Sequence, residues 1–154
     1  MAEKLIITPA SVDDLPLMVD FQLNMAFETE GLKLDKRVLE NGIGSALNDS
    51  GKARYFIAKS NDKPVGMLMI TTEWSDWRAG WVWWIQSVYV VPEMRGEGVF
   101  GALYSYVKEL VKEMHDVMGI RLYVDKRNLR AQKVYEAVGM TGEHYATFEW
   151  MKNF

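Results

Sequence analysis

The stretch from Ile85 to Leu103 reads IQSVYVVPEMRGEGVFGAL and contains the residue types most suited to binding an anion. Residues 85–91 mostly favour β-structure and run into a proline, an arginine and closely spaced glycines, after which an amphipathic pattern begins. This order predicts a strand, a turn and a helix. Gly96 and Gly98 have no Cβ, so the backbone there can adopt positive φ angles and approach a ligand closely.

The predicted turn has the chemistry of a phosphate site. A helix that opens near Gly98 has N–H groups without intrahelical partners at the positive end of its dipole, and such groups bind phosphates. Arg95 adds a permanent cation beside them. The glycines could serve the geometry of the turn alone, but their density after a strand, next to an arginine, favours a phosphate ligand.

The same glycines, Gly96, Gly98 and Gly101, also match the dinucleotide fingerprint GxGxxG, and Asp125 lies near the distance expected for its ribose-binding acid. Two features count against a dinucleotide. Residues 92–95 separate the strand from the first glycine, whereas the fingerprint directly follows its strand. The chain has 154 residues, so 29 follow Asp125, which is too few for further βαβ units.

Two motifs resemble those of the GNAT N-acetyltransferases. The run from Val88 to Phe100, VYVVPEMRGEGVF, resembles the acyl-CoA motif R/Q-x-x-G-x-G/A after a hydrophobic strand. About thirty residues later, the run from Asn128 to Met140, NLRAQKVYEAVGM, resembles the second motif of that family. One position departs from the pattern, because Phe100 occupies the last small position and the glycine is displaced to Gly101. The phenylalanine should leave backbone donation intact but crowd the pyrophosphate.

The resemblance implies an acetyltransferase that moves acetyl from acetyl-CoA to a primary amine of a small molecule or peptide. It also implies that the turn holds the coenzyme pyrophosphate and that the preceding strand pairs with the pantetheine amides. A backbone N–H near Val90 would stabilise the oxyanion formed when the neutral amine attacks the thioester. The implied coenzyme-binding residues are Val88, Tyr89, Val90, Arg95, Gly96, Glu97, Gly98, Val99, Phe100, Gly101, Asn128 and Tyr135.

Tyr135 matches the residue that protonates the leaving thiolate in the family. A phenol with a pKa of about 10 is protonated at neutral pH and can supply that proton. The alternative is a tyrosine packed on the sheet with its hydroxyl at the rim. Asn128 either steadies the amide region of the coenzyme or caps the helix that follows it.

The general base and the acceptor site are less clearly marked. Some family members carry a glutamate where this chain has Gln86, and an amide cannot take a proton. In the family, the connection after the first helix borders the acceptor, so Glu28 and Glu30 are candidates for holding an ammonium group, although a solvated acidic loop is the favoured interpretation because charged side chains are mostly exposed. Replacement bases, besides water, are Glu73, Asp76, Glu28, Glu30 and His144.

Residues 73–84 contain five of the six tryptophans. Alternation along a strand places Trp81, Trp83 and Ile85 on one face of a long hairpin. Such a density of indoles is typical of a core or an interface, including that of a homodimer. An aromatic acceptor pocket is the functional alternative, in which Trp74 and Trp83 would contact the amine by stacking or cation–π interactions, with Gln86 nearby.

We predict a single α/β (α+β) domain over residues 1–154, with a mixed, mostly antiparallel central sheet of about seven strands flanked by about four helices. The predicted order is β-α-α-β-β-β-α-β-α-β-β, which agrees with the GNAT-like layout. The strands are expected over 4–8, 53–59, 65–72, 85–91, 120–124, 141–145 and 147–151, and the helices over 13–28, 35–47, 98–117 and 128–139.

Composition narrows the function further. A net charge of −3 and a sequence pI of about 5.4 provide no general attraction to nucleic acid. The apolar runs are too short to span a bilayer, no signal peptide is apparent, and a cytoplasmic location is expected. Zero cysteines and two distant histidines argue against a thiol nucleophile or a metal centre. A non-catalytic acyl-CoA-binding or regulatory module is the alternative function, because of Gln86 and Phe100.

Overall fold

The computed structural model describes residues 4–152. In this span one five-stranded sheet has the order β1-β2-β3-β4-β5. The contacts divide the chain into two compact units, one ending at Arg121 and the other beginning at Leu122. The strands are β1 (Leu5–Pro9), β2 (Arg54–Ser60), β3 (Lys63–Ser75), β4 (Gly80–Val90) and β5 (Val117–Leu122), and the helices are α1 (Leu15–Glu30), α2 (Lys36–Leu47), α3 (Val99–Glu113) and α4 (Leu129–Ala137).

The sheet is mixed, as predicted. Strands β1 to β4 pair with their neighbours in antiparallel fashion. The Trp81 N–H donates to the Asp116 carbonyl over 2.7 Å, so the start of β4 lies beside the start of β5. The two strands therefore run in the same direction, and α3 is the crossover between them.

The sheet has helices on both faces. Tyr55 and Ile57 of β2 belong to one buried cluster with Met18 of α1 and other residues of α1 and α2. Between them in sequence, Phe56 points to the opposite side, where its ring lies 5.4 Å from the ring of Tyr106 in α3. Because side chains alternate along a strand, α1 and α2 cover one face and α3 covers the other.

A glycine in β3 allows α3 to approach the sheet closely. A Cβ added to Gly66 would lie 2.9 Å from Cγ1 of Val99, the first residue of α3, and 3.0 Å from the carbonyl oxygen of Tyr89. Distances this short are incompatible with unshifted atoms, so a side chain here would force the helix or the strand to move. The absence of a side chain at Gly66 therefore allows the first turn of α3, next to the glycine-rich turn, to pack closely against the sheet.

Helix α1 extends two residues beyond its predicted end. Glu28 and Glu30 thus lie in its last turn, not in a loop as expected. The helix ends where Gly31 adopts φ 64°, a left-handed conformation that favours glycine. Its N-terminal cap is Asp14, one residue after the predicted start of the helix. The Asp14 carboxylate accepts the Ser11 N–H (2.8 Å) and closes a short turn just before the helix.

Helix α3 is shorter than predicted and ends at Glu113. Met114 has an extended conformation with ψ 120°, which stops the helix. Val117 was expected to be helical, but it begins β5 and is buried. An apolar residue at this boundary satisfies a helical and a strand pattern equally well, and packing against the sheet decides between them.

The two C-terminal strands predicted over 141–145 and 147–151 were wrong, because the structure has no regular element in this segment. The side chains of Tyr145, Phe148 and Trp150 are 84%, 98% and 85% exposed. β-favouring residues form a strand only when a neighbouring strand offers partners for their N–H and C=O groups. The described sheet therefore has five strands instead of about seven, while the predicted fold class and the four helices are confirmed.

Candidate functional site

The glycine-rich turn has the predicted conformation. Gly96 and Gly98 have φ angles of 82° and 81°, and Gly98 caps the 15-residue helix α3. The first intrahelical bond runs from the Ala102 N–H to the Gly98 carbonyl (3.0 Å), so the N–H groups just before Ala102 point away from the helix. A Cβ at Gly96, Gly98 or Gly101 would meet no atom within 4 Å, so open space adjoins the turn. The turn fits a diphosphate group.

The end of β4 directs main-chain groups away from β3. The Val91 N–H donates to the Val65 carbonyl (2.9 Å), and Gly66 lies opposite Val90. In an antiparallel ladder, the residue next to such a bonded pair points its own N–H and C=O to the other side. Val90, and Val88 two residues earlier, therefore present these groups on the β5 side of the strand.

A β-bulge lies in β4 immediately before this segment. Met69 of β3 lies opposite Ser87, but the next residue of β3 lies opposite Ile85, which leaves Gln86 as an extra residue. Without it, Tyr89 would share a face with Ile85. With it, Tyr89 joins the buried cluster under α1 and α2. The alternation of the sequence contains no sign of this shift.

Arg95, Glu28 and Tyr89 form a cluster at the end of β4. Nη2 of Arg95 lies 2.6 Å from Oε2 of Glu28, its Nε donates to the Val90 carbonyl (3.0 Å), and its guanidinium carbon lies 5.6 Å from the Tyr89 ring centroid. The Tyr89 hydroxyl donates to Oε1 of Glu28 over 3.4 Å. Burial raises the pKa of Tyr89 and the Glu28 charge raises it further, whereas the Arg95 charge lowers it. The cluster joins the end of α1 to the end of β4.

Two further polar contacts are made by side chains of β3, one with β4 and one with β5. The Gln86 amide donates to Oγ1 of Thr71 (2.9 Å), and Glu73 pairs with Arg121 (2.9 Å). Thr71 and Glu73 alternate on β3 and therefore share a face. The Arg121 guanidinium also lies 5.9 Å from the Trp84 ring centroid. Of the candidate bases, Glu28 and Glu73 thus each pair with an arginine.

The tryptophans of the hairpin have different environments. Trp83 is 2% exposed and lies below the Arg54 guanidinium, 5.2 Å from the ring centroid, so it is a core residue. Trp74 is half exposed and packs edge-on against Trp81, with ring centroids 5.1 Å apart. Trp77 is almost fully exposed at the hairpin turn. Of the two candidates, only Trp74 is open to solvent.

The unit that begins at Leu122 contains the second motif. The Asn128 side-chain oxygen accepts the Ala131 N–H (3.0 Å), so Asn128 caps α4 as one of its two predicted roles requires. Burial raises the pKa of the Tyr135 phenol, which keeps it protonated at neutral pH.

Asp125, the candidate ribose ligand, uses both carboxylate oxygens to accept the backbone N–H, Nε and Nη2 of Arg127 at 2.8, 3.0 and 2.7 Å. These contacts lower the pKa of Asp125 to about 2. Because Arg127 already occupies the carboxylate, the contact weakens the dinucleotide interpretation further.

Two other kinds of site are absent from the described residues. No group of three or more histidine, cysteine, aspartate or glutamate side chains in residues 4–152 has the arrangement of a metal site. Within the same span, no helix is both long enough and apolar enough to cross a membrane.

Comparison with known proteins identifies similar acetyltransferases, both by a family model and among solved structures. The model of the Acetyltransferase (GNAT) family matches residues 21–140. The crystal structure of a possible acetyltransferase from Clostridium difficile 630 is 40% identical, with a TM-score of 0.90, and the alignment covers 99% of this chain and 100% of that one.

More distant solved structures share the fold. The aminoglycoside N-acetyltransferase AAC(6')-Iy in complex with CoA is 14% identical, with a TM-score of 0.80 and coverage of 99% of this chain and 98% of that one. An aminoglycoside acetyltransferase, meta-AAC0020, from an uncultured soil metagenomic sample, in complex with sisomicin, is 18% identical, with a TM-score of 0.76 and coverage of 97% of both chains. No match was found among the curated proteins.

Proposed function

Because this chain belongs to the GNAT acetyltransferase family, we propose that it transfers acetyl from acetyl-CoA to a primary amine of a small molecule or peptide. The observation that supports this most directly is the direction of the Val88 and Val90 main-chain groups. They point away from β3, immediately before a glycine-rich turn that opens a helix. One surface thus offers partners for an extended amide chain and, next to them, donors for a diphosphate.

The coenzyme, when bound, supplies an activated thioester. The N–H groups of residues 96–101 would hold its diphosphate, with Glu97 and Val99 contributing through their backbone, and Val88 and Val90 would pair with its amides. Phe100, the departure from the family pattern, stacks on Tyr104 with ring centroids 6.0 Å apart. The Phe100 ring therefore packs against a neighbouring side chain of α3.

Two groups of the chain would assist the chemistry. The Val90 N–H would donate to the acetyl carbonyl oxygen, whose negative charge increases during attack. The Tyr135 phenol, whose pKa is raised by burial, would hold the proton that the departing sulfur needs. Gln86 cannot act as a base. Water can take the proton when the acceptor amine has a low pKa, so the proposal requires no particular carboxylate.

The acceptor would contact either the carboxylates of Glu28 and Glu30 or the exposed face of Trp74. These are alternatives, because Glu28 lies beside Tyr89 at one end of β4 and Trp74 lies opposite Trp81 at the other end. Carboxylates attract a cationic group, and an indole face adds cation–π contact or stacking. Gln86, at the bulge, lies on the same ribbon as Trp74 and could orient the amine by hydrogen bonds. A cytoplasmic location and a homodimer remain predictions from the sequence.

Thermal unfolding with added ligands tests the coenzyme. Acetyl-CoA at 100 times its Kd should stabilise the protein by about 2.7 kcal/mol, whereas NAD and ATP should not. Gly98→Glu should abolish this shift through clash and repulsion. Gly42→Glu is the matched control, since Gly42 lies in α2 with nothing within 4 Å of an added Cβ. Failure of acetyl-CoA to stabilise the wild type would refute the proposal.

Thiol release separates an enzyme from a binding module. The assay is run with acetyl-CoA and a panel of amines, amino acids, polyamines and peptides. Release that depends on an amine supports the proposed transfer. Stabilisation by acetyl-CoA without release for any amine would instead favour the non-catalytic acyl-CoA-binding module.

A further inference from the structure

Arg95 and Glu28 are paired with each other in this structure, yet each lies where a substrate would need it. Arg95 precedes the glycine-rich turn that would hold the diphosphate, and Glu28 is a candidate ligand for a cationic acceptor. Their side chains are 42% and 36% exposed, and Nη2 and Oε2 lie 2.6 Å apart. The pair therefore satisfies both charges, and both partners are accessible to ligands.

We propose that this ion pair is an exchangeable latch that couples the binding of the two substrates, an inference that rests on the proposed function. When the coenzyme binds, the Arg95 guanidinium moves from Glu28 to the diphosphate. The released Glu28 carboxylate then binds a cationic group of the acceptor. The acceptor class is thus an amine that carries a positive charge besides the nitrogen that is acetylated.

The second hydrogen bond of Arg95 supports the exchange. Its Nε donates to the carbonyl of Val90, which points away from β3, on the side where the pantetheine amides would pair. A bound coenzyme would therefore compete for this carbonyl as well as attract the guanidinium. One ligand would therefore weaken both hydrogen bonds of Arg95, and its contact with the Tyr89 ring is the only one of the three described that the ligand leaves unopposed.

Tyr89 can keep Glu28 in place after Arg95 has left. Its hydroxyl donates to the other carboxylate oxygen of Glu28, Oε1. The Tyr89 side chain is only 4% exposed and packs against Phe21 with ring centroids 5.0 Å apart, so its position is fixed by the core. Glu28 would thus lose one partner and retain an oriented carboxylate with a free oxygen.

Exchange is feasible because exposed ion pairs are weak. Such a pair typically changes an equilibrium constant by no more than about fivefold. The latch can therefore lower coenzyme affinity by at most about this factor, and a diphosphate, which has two negative groups, competes well with one carboxylate.

Coenzyme A affinity of the Glu28→Gln variant tests the first half of the exchange. Isothermal titration calorimetry should give a Kd about threefold to fivefold lower than that of the wild type, because Arg95 no longer has a competing anion. Glu30→Gln is the matched control, since it removes the same charge from the same helical turn, and its Kd should change by less than about 1.5-fold.

Two results would overturn the latch. If Glu28 only positions Arg95 for the phosphate, Glu28→Gln binds coenzyme A more weakly or equally. If both variants bind more tightly to the same extent, the effect is general electrostatics. Both results require that wild-type protein binds coenzyme A, so they are distinct from a failure of the proposed function, in which the wild type does not bind it.

Spermidine, a polycationic amine, tests the second half. Its Kd for the wild type should be severalfold lower with saturating coenzyme A than without it, since linkage between two ligands is reciprocal. In Glu28→Gln this enhancement should disappear. An enhancement that persists in the variant, or no binding of spermidine to the coenzyme-loaded wild type, would overturn the assignment of Glu28 to the acceptor.

Discussion

Replacing Gly66 with alanine should destabilise the protein, although alanine is usually tolerated in a strand. The added Cβ would lie 2.9 Å from the Val99 side chain and 3.0 Å from the Tyr89 carbonyl oxygen. The methyl group of Val99 can shift, but a carbonyl oxygen within β4 cannot rotate away without breaking the sheet. Overpacking of this kind costs about 1–3 kcal/mol, and reduced entropy of the unfolded chain offsets about 0.5–1 kcal/mol. The expected net loss is about 1–2 kcal/mol.

Urea unfolding monitored by tryptophan fluorescence measures this loss. Gly42→Ala, in the interior of α2 and with nothing within 4 Å of an added Cβ, is the control and should stabilise by about 0.5–1 kcal/mol. Because Val99 begins α3, displacement of the helix should also weaken coenzyme A binding severalfold. The double variant Gly66→Ala/Val99→Ala should lose less stability than the sum of the losses of the two single variants, since it removes one of the two close contacts.

A stable Gly66→Ala variant would refute this reasoning. If its free energy of unfolding equals or exceeds that of the wild type, α3 is not held at the distance described. If the combined variant loses the sum of the two single losses, Gly66 and Val99 are not in contact.

Three further predictions concern other parts of the chain. Tyr135→Phe should lower kcat by about 10²-fold or more while coenzyme A affinity measured by calorimetry changes little, and unchanged turnover would remove its acid role. Trp83→Ala should destabilise by about 3–5 kcal/mol in urea unfolding because it empties a core site, whereas Trp77→Ala should stay within about 0.5 kcal/mol; similar losses would contradict the two environments. The pKa of Asp125 should be about 2 by NMR titration, so its contact with Arg127 is present above the ordinary carboxyl pKa of about 3.9 and is lost as the pH falls towards 2. In Arg127→Ala the Asp125 pKa should rise towards 3.9, and an unchanged value would show that Arg127 is not the cause.

Features set by neighbouring residues could be predicted from the sequence. Asp35 and Asn128 cap α2 and α4 by accepting N–H groups two or three residues later, so residue type and spacing were sufficient. The positive φ angles of Gly96 and Gly98 likewise follow from glycine-rich spacing between a strand and a helix. Together with hydrophobic periodicity, these local rules gave the order of the first nine elements and the location of the turn.

Features that depend on distant partners could not be predicted in this way. Glu28 and Arg95 are 67 positions apart, and no local pattern indicates that they pair. The segment 141–151 has strand-forming residues, but no strand pairs with it in the structure. Propensity describes what a residue favours by itself, whereas ion pairs and strands require a second group from elsewhere in the fold.

The sequence by itself thus determined a strand, a glycine-rich turn and a helix, because each depends on residues within a few positions of one another. The tertiary structure alone decided the strand register around that unit and the distant residues that it contacts. It introduced the bulge at Gln86, turned Tyr89 towards α1, paired Arg95 with Glu28 and brought α3 against Gly66. The physical reason is that register and close packing arise only when the sheet and its helices come together.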